Sequence, residues 1–314
     1  MARYVGVRFV QGLVVLFLVV TVVFRLGRVS GNIAEIIAPP EASAEAVAEI
    51  ERSLGLDRPL IVQYGSYLSD LAQGNLGESY SYRRPVSELI RDSLPNTIQL
   101  GVVAFIFAVV VGVSLGVASG MHPDGVADRL GKGIALLGQS VPSFWLGILL
   151  VAAFAVRWQW FPAYGKGGWQ NVVLPAVALG WYPLASLTRL TRSAVIEVRQ
   201  QDHTLFTRAK GVAPRRMMLH TVRNASLPVV TLAGIQLGAM LSATVVVETL
   251  FAWPGMGQLA IHAINARDYN VVQGVVLVNT LLFGVLLFLV DLSYGVIDPR
   301  VRSVHTGSGG DNGA

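Results

Sequence analysis

Long stretches of apolar residues, almost free of charge, recur along this chain. They lie at about 9–24, 96–120, 133–156, 172–188, 225–247 and 271–290. A helix needs about 20 apolar residues to cross the hydrocarbon core of a bilayer, and five of these stretches reach or approach that length. The first is shorter, but Arg25 and Arg28 can extend their charged ends to the far interface. The pattern predicts an all-α membrane protein with six transmembrane helices.

Composition agrees with this class. Hydrophobic residues make up 53% of the chain and charged residues 14%, against roughly 25% charged in soluble domains. The first stretch has no small-x-small cleavage site after it, so we interpret it as an uncleaved helix. The chain has no cysteine, which excludes disulfides and thiolate metal sites. Its five histidines are scattered without metal-ligand spacing, so neither a metal nor another cofactor is predicted.

Basic residues occupy alternate connections between the apolar stretches. Arg129 and Lys132 follow the second stretch, and residues 199–228 carry the longest basic run. Short basic connections stay in the cytoplasm, so the pattern predicts cytoplasmic termini and an extracytoplasmic segment at residues 31–95. That segment is acidic, and it predicts a helix within 41–56 and an amphipathic helix at 84–95 along the outer interface. Topology alone explains the excess of positive charge, without nucleic acid.

Two strings resemble catalytic motifs but do not fit the structural context that those motifs need. Residues 112–116 spell GxSxG around Ser114, yet a serine hydrolase needs that string at a strand–turn–helix junction. Gly112, Gly116 and Gly120 instead have the spacing of small residues at which membrane helices approach closely. Residues 125–132 resemble a phosphate loop with one residue too many, and Gly133 replaces the Ser or Thr that would hold magnesium.

Polar residues inside the apolar stretches are candidates for a translocation path, because such residues are costly in a membrane. They are Gln139, Ser140, Gln236, Ser242, Glu248 and Asn279. For Gln236 and Asn279, hydrogen bonding between helices is an equal alternative. Pro142, Pro175 and Pro183 lie within predicted spans, where each removes a backbone hydrogen bond.

Seven strings, in order, resemble the peptide/nickel family of permeases from binding-protein-dependent ABC importers. They are LGLDRPLIVQY (54–64), NLGESY (75–80), RPVSELIRDSLPNTIQL (84–100), QSVPSFWLGILL (139–150), VVETLFAWPGMGQL (246–259), RDYNVVQGVVL (267–277) and LVDLSYGVIDPRVR (289–302). Residues 202–228 are similar to the family's cytoplasmic EAA loop. Leu205-Phe206-Thr207 replaces Glu-Ala-Ala, and Asn270 replaces a common proline. The closer similarity is to the first of the two homologous permeases.

The resemblance implies a type I ABC importer permease fold whose EAA-type loop docks on an ATPase subunit. It implies two short helices around 211–214, the first at about 203–210. The residues it implicates in docking are Asp202, Leu205, Phe206, Arg208, Ala209, Lys210, Gly211, Pro214, Arg215, Arg216 and Met218. A basic helix lying on anionic lipid is the alternative that the residues alone allow.

The implied assembly contains a homologous second permease, two cytoplasmic ATP-binding subunits and an extracytoplasmic substrate-binding protein in the bacterial inner membrane. This chain would have no catalytic residues and no cofactor. Its expected divisions are residues 1–30 (tail and first helix), 31–95, a core at 96–302 with the coupling loop at about 199–228, and a disordered tail at 303–314. The substrate is not specified by the sequence.

Two functions from other classes compete with this interpretation. A stand-alone secondary transporter or channel would favour an inverted repeat and a buried ion-coupling carboxylate, and no repeat is visible. An intramembrane hydrolase using Ser114 would need a histidine at membrane depth, which the predicted spans lack.

Overall fold

The computed structural model describes residues 2–29, 34, 38–39, 41–53, 55–202, 206 and 210–297. Within these ranges the regular elements are helices, as predicted. They are α1 (Ala2–Val29), α2 (Ala44–Ser53), α3 (Leu60–Ala72), α4 (Val86–Met121), α5 (Val126–Ser140), α6 (Ser143–Leu150), α7 (Gln170–Gln200), α8 (Pro214–Leu250), α9 (Met256–Asn265) and α10 (Tyr269–Ile297). A π-helical segment, Val151–Arg157, continues α6. The expected tail at 303–314 lies outside the described residues.

Five of the described helices, α1, α4, α7, α8 and α10, are long and apolar enough to cross a membrane. The pair formed by α5 and the helix from Ser143 to Arg157 passes the same test, which makes six spans if the pair is one. This agrees with the predicted number of spans.

The third predicted span is not one helix. The stretch at 133–156 is broken between α5 and α6, whose axes differ by 111°. Val141 is extended, with φ −98° and ψ 115°, and Pro142 precedes the first residue of α6. Proline disfavours a helical conformation in the residue before it, which accounts for the break.

Helix α7 is the most enclosed of the five long helices. Of the 18 consecutive residues that are most apolar in each helix, 72% are buried in α7 and 11% in α1. Pro175 and Pro183 both lie inside it and are buried. The outward apolar surface of α1 is typical of a helix that faces lipid or another membrane protein.

The glycines of α4 pack against α7, which confirms the predicted small-residue face. A Cβ atom on Gly116 would lie 2.6 Å from the Cβ of Thr191 and 2.8 Å from the carbonyl oxygen of Thr188. A Cβ on Gly120 would lie 2.7 Å from that of Val195. Only glycine allows this approach. Ser114 lies in the interior of α4, so the GxSxG string does not form the turn of a hydrolase.

The chain divides into two compact units whose boundaries fall within α4 and α10 and beside Trp253. The first contains Thr97–Trp253 and the chain from Val285, and the second contains Ala2–Asn96 and Pro254–Gly284. The first unit has a core from α4, α7, α8 and the π-helical segment, which includes Leu100, Leu179 and Phe251. In the second, Phe24 of α1 stacks against Tyr67 of α3, with 5.4 Å between ring centroids.

The segment at 84–95 is helical, but it is not a separate interfacial helix. It forms the first turns of α4, a continuous helix of 36 residues. Val86, Leu89 and Ile90, spaced i, i+3 and i+4, form a buried cluster with Met256 of α9 and Val271 of α10. The spacing was predicted correctly, but the apolar face packs on protein rather than on lipid headgroups. The predicted helix within 41–56 is confirmed as α2.

Candidate coupling segment and its supports

The segment between α7 and α8 begins where α7 ends at Gln200, because Gln201 is extended. Among the predicted docking residues, Leu205, Arg208 and Ala209 lie outside the described residues. Phe206 is helical, and its side chain is 69% exposed. The Lys210 ammonium lies 5.5 Å from the centre of the Phe206 ring, within the range of a cation–π contact. An exposed aromatic ring next to a cation is therefore a defined feature of this segment.

A glycine turn joins the segment to α8. Gly211 has φ +74°, a conformation that side chains other than glycine rarely adopt. Pro214 follows at the first position of α8, where its missing N–H costs no hydrogen bond. The second short helix that the resemblance implied is instead the beginning of α8, a continuous helix of 37 residues. The turn at Gly211 is therefore followed, without a break in the helix, by a membrane span.

The described docking residues on both sides of the turn are exposed. They are Asp202, Phe206, Lys210, Gly211, Arg215, Arg216 and Met218. Leu219 is also 68% exposed, although apolar. Exposed apolar side chains surrounded by cations resemble the composition of a protein interface, in which apolar anchors supply affinity and charges supply orientation.

Two arginines near the end of α7 hold the neighbouring helices. Arg192 donates through Nε and Nη2 to the carboxylate of Asp128 in the first turn of α5, with a distance of 3.2 Å from Nη2. Arg199 donates through Nη1 to the carbonyl oxygens of Gly120 and Met121, at 2.8 and 2.7 Å, in the last turn of α4. These carbonyls are among those that a helix leaves without internal partners, and a cation there is favourable.

Asp128 was missed by sequence reasoning, although its side chain is fully buried. It lies in the string that resembled a phosphate loop, and once that motif was excluded the residue had no assigned role. The available signal was the presence of carboxylates at positions 124 and 128 in a short connection that is otherwise basic. Nothing local identifies Arg192, 64 positions away, as the partner of Asp128.

The six path candidates have different surroundings. Gln139 and Ser140 are exposed at the end of α5, and Ser140 Oγ donates to the Leu136 carbonyl at 3.0 Å. On α8, Ser242 is exposed and Gln236 is 6% exposed.

Glu248, at the end of α8, is fully buried, and its carboxylate accepts a hydrogen bond of 2.7 Å from Thr97. Asn279 is partly buried on α10. A role for these residues in translocation stays a prediction.

A buried carboxylate also organises the other unit. Asp268 precedes α10 and accepts hydrogen bonds from Ser79 Oγ at 2.6 Å, the Ser81 amide at 3.0 Å and the Val271 amide at 3.4 Å. The last bond is that of a helix N-cap.

The side-chain amide of Asn270 donates to the Glu78 carbonyl at 2.8 Å, a bond that the family's usual proline could not donate. Burial raises the pKa of the neighbouring Tyr80 hydroxyl.

Two family models match the chain. The model "Binding-protein-dependent transport system inner membrane component" matches residues 108–303, and "Binding-prot-dependent transport system membrane comp, N-term" matches residues 1–101. Proteins named glutathione transport system permease protein GsiC, from Salmonella typhimurium and Escherichia coli, are 38% and 37% identical to it over 304 residues. Each alignment covers 96% of this chain and 99% of the relative.

A solved chain of the MetNI methionine ABC transporter shares the fold. The two are 21% identical, with a TM-score of 0.51, over 69% of this chain and 97% of that chain. This similarity supports the type I ABC importer permease fold that the resemblance implied. The protein is a non-catalytic translocating subunit, and it belongs to the binding-protein-dependent inner membrane components, the permeases of ABC importers of the peptide/nickel type.

Proposed function

We propose that this chain pairs with a homologous permease and with two cytoplasmic ATPases to import a peptide-like solute delivered by an extracytoplasmic binding protein. The observation that carries the proposal is the exposed turn around Gly211. It follows α7, the most buried of the five long helices, and it begins α8 without a break. A partner that moves this turn would move two spans of the pore-forming subunit together.

Docking requires apolar anchors as well as charge. Phe206, Met218 and Leu219 are 69%, 42% and 68% exposed, and burying large apolar side chains is the main favourable term in association. Lys210, Arg215 and Arg216 surround them with positive charge, which orients an acidic groove. A lipid surface would attract the same cations, but a left-handed glycine turn between two helices suits insertion into a protein groove better than flat adsorption on a membrane.

The basic connections support an orientation in which both termini and the Gly211 turn face the cytoplasm. The chain has no cysteine, so a single introduced cysteine reports its own side. In intact cells, a membrane-impermeant maleimide should label Gly74→Cys and should label Gly211→Cys only after permeabilisation. Labelling of Gly211→Cys in intact cells would reverse the orientation.

Glutathione is the first solute to test, because it is a small peptide-like molecule and the 38% identical relatives are named for its transport. Gln139, Ser140, Gln236, Ser242, Glu248 and Asn279 remain our candidates for the translocation path. Gln139, Ser140 and Ser242 are exposed in the chain and are tested first, whereas Gln236 and Glu248 are buried.

The proposal is tested by Gly211→Asp in the complete transporter, purified through a tag on this chain and reconstituted in liposomes. The change adds negative charge and backbone strain to the turn. We expect glutathione uptake to fall at least about tenfold, the effect of losing about 1.4 kcal/mol of docking energy. The amount of inserted chain should stay the same, and ATP hydrolysis should become independent of transport.

Gly74→Asp is the matched control. Gly74 has φ +76°, Gly211 has φ +74°, and an added Cβ at either position would have no atom within 4 Å. The control therefore has the same strain and charge at a different place, and it should transport normally. Normal uptake by Gly211→Asp would contradict the docking role. Uptake by the isolated chain without ATP would favour a stand-alone transporter instead.

A further inference from the structure

The carboxylate of Asp128 lies at the centre of a cluster of ion pairs beside the end of α7. It is fully buried and accepts hydrogen bonds from Arg192 of α7, from Lys132 of α5 at 2.8 Å and from the backbone amide of Asp124 at 2.9 Å. Hydrogen bonds between ionised groups are short, directional and about twice as strong as neutral ones. The cluster thus fixes the first turn of α5 and the loop before it to α7.

Arg199 extends the same attachment towards the coupling segment. It lies seven residues after Arg192, which places both side chains on one face of α7. Through its bonds to the Gly120 and Met121 carbonyls, it joins the last turn of α4 to α7. Gln201, where the coupling segment begins, is only two residues further on.

Close packing continues the attachment along α5. A Cβ atom on Gly131 would lie 2.3 Å from Ser119 Oγ and 3.6 Å from the Thr188 side chain, and one on Gly138 would lie 2.3 Å from the Cβ of Ala185. Closely packed helices move as units rather than deforming continuously. Helix α5 is therefore fixed to α7 from its first turn to its last, and the first break in the helix comes at Val141 and Pro142.

We infer that Asp128, Arg192 and Lys132 form the link through which movement of the coupling segment reaches the bent pair of α5 and α6. This rests on the proposed function, in which an ATPase moves that segment. A displacement of α7 at Gln200 carries α5 with it, and it thereby reaches the 111° bend at Pro142, where α5 ends and α6 begins. Asp128 is a positioning residue, since it contacts neither substrate nor ATPase in this scheme.

The test uses Asp128→Asn in the reconstituted transporter, with ATP hydrolysed per glutathione imported as the readout. Free energies of coupling between sites correspond to about 5- to 150-fold effects, so we expect this ratio to rise at least about fivefold. A purely structural role would lower the amount of assembled transporter and leave the ratio unchanged. Asp92→Asn is the matched control, because that carboxylate is paired with Arg84 but is 62% exposed.

A double variant separates an effect on the stability of the transporter from an effect on the coupling of ATP hydrolysis to transport. Asp128→Asn combined with Arg192→Met removes both charges of this ion pair, and replacing both partners of a pair with neutral groups leaves neither without its partner. We expect it to assemble and to remain uncoupled. Recovery of the normal ratio would overturn the inference, as would a normal ratio in Asp128→Asn alone.

If neither Asp128 variant assembles, Lys132→Met tests the proposed link instead. The Lys132 side chain is 49% exposed, so its loss leaves the Asp128–Arg192 pair in place. We expect a smaller rise in the ratio, of about twofold, because a half-exposed ion pair contributes less than a buried one; an unchanged ratio would refute the link. If Gly211→Asp uncouples transport while these variants do not, the link fails and the proposed function stands. If Gly211→Asp has no effect either, the proposed function itself fails.

Discussion

Two buried aspartates, one in each unit, begin helices in this protein and are held by different kinds of partner. Asp128 is fully buried and Asp268 is 1% exposed. The first is bound by the cations of Arg192 and Lys132. The second is bound by a serine hydroxyl and two backbone amides, all neutral. Two carboxylates with similar burial therefore have different partners: cations for Asp128 and neutral hydrogen-bond donors for Asp268.

The difference lies in what the partners can do when the carboxylate is lost. The Arg192 and Lys132 side chains are 24% and 49% exposed, so both cations can turn to water. Ser79 is 2% exposed, and its hydroxyl has no comparable access to solvent. We therefore expect Asp268 to contribute mainly to stability and Asp128 mainly to the position of α5 relative to α7.

Replacing each aspartate with alanine should give the larger loss of stability at Asp268. Asp268→Ala leaves the Ser79 hydroxyl and the Ser81 amide without an acceptor and removes the N-cap of α10. Together these cost about 3 kcal/mol. Asp128→Ala should cost clearly less. The measurement is the thermal unfolding midpoint of the purified complex in detergent.

Asp268→Asn is the control for this ranking. Ser79 and Ser81 donate to Oδ2 of Asp268 and Val271 donates to Oδ1, whereas asparagine has a single acceptor oxygen. It can keep one of these two sets of hydrogen bonds but not both, so only part of the stability should return. A larger loss in Asp128→Ala than in Asp268→Ala would show that the charged cluster is the main support of the fold, and the division of roles would be wrong.

Much of the helical architecture could be predicted from the sequence. Runs of apolar residues marked the spans, because a bilayer demands about 20 such residues whatever the protein. The recurrence of glycine at 112, 116 and 120 identified the face that packs on α7, because close approach of helices demands small residues. Both signals are local in the chain and have a single physical cause.

The break in the third span could not be predicted in the same way. Pro142, Pro175 and Pro183 all lie in apolar stretches, yet only Pro142 stands at a break in the helix. The other two lie within α7, where neighbouring helices enclose the chain and hold it helical around the missing hydrogen bond. Tertiary packing decides which proline ends a helix, and a single sequence does not contain that information in readable form.

The bonds of the two aspartates were also beyond prediction. The Asp128–Arg192 pair is separated by 64 positions and the Asp268–Ser79 pair by 189. The strings that contain Ser79 and Asp268 did contribute to the family resemblance. The resemblance therefore drew attention to both residues, but it did not indicate that they are in contact. In the coupling segment, the exposure of Arg215 and Arg216 followed from their charge, whereas the exposure of the apolar Phe206 and Leu219 did not.

The smallest effect is expected where a carboxylate pairs with a cation in full contact with water. Asp92 accepts from Arg84 at 3.1 Å, but the two side chains are 62% and 47% exposed. Exposed pairs contribute little, because water and salt replace the partner. Asp92→Asn should therefore leave the unfolding midpoint and the ATP-to-glutathione ratio unchanged within error. A fall in the midpoint comparable to that of Asp268→Ala would mean that burial does not determine how much these carboxylates contribute to stability. The exposed carboxylate would then contribute as much as the buried one.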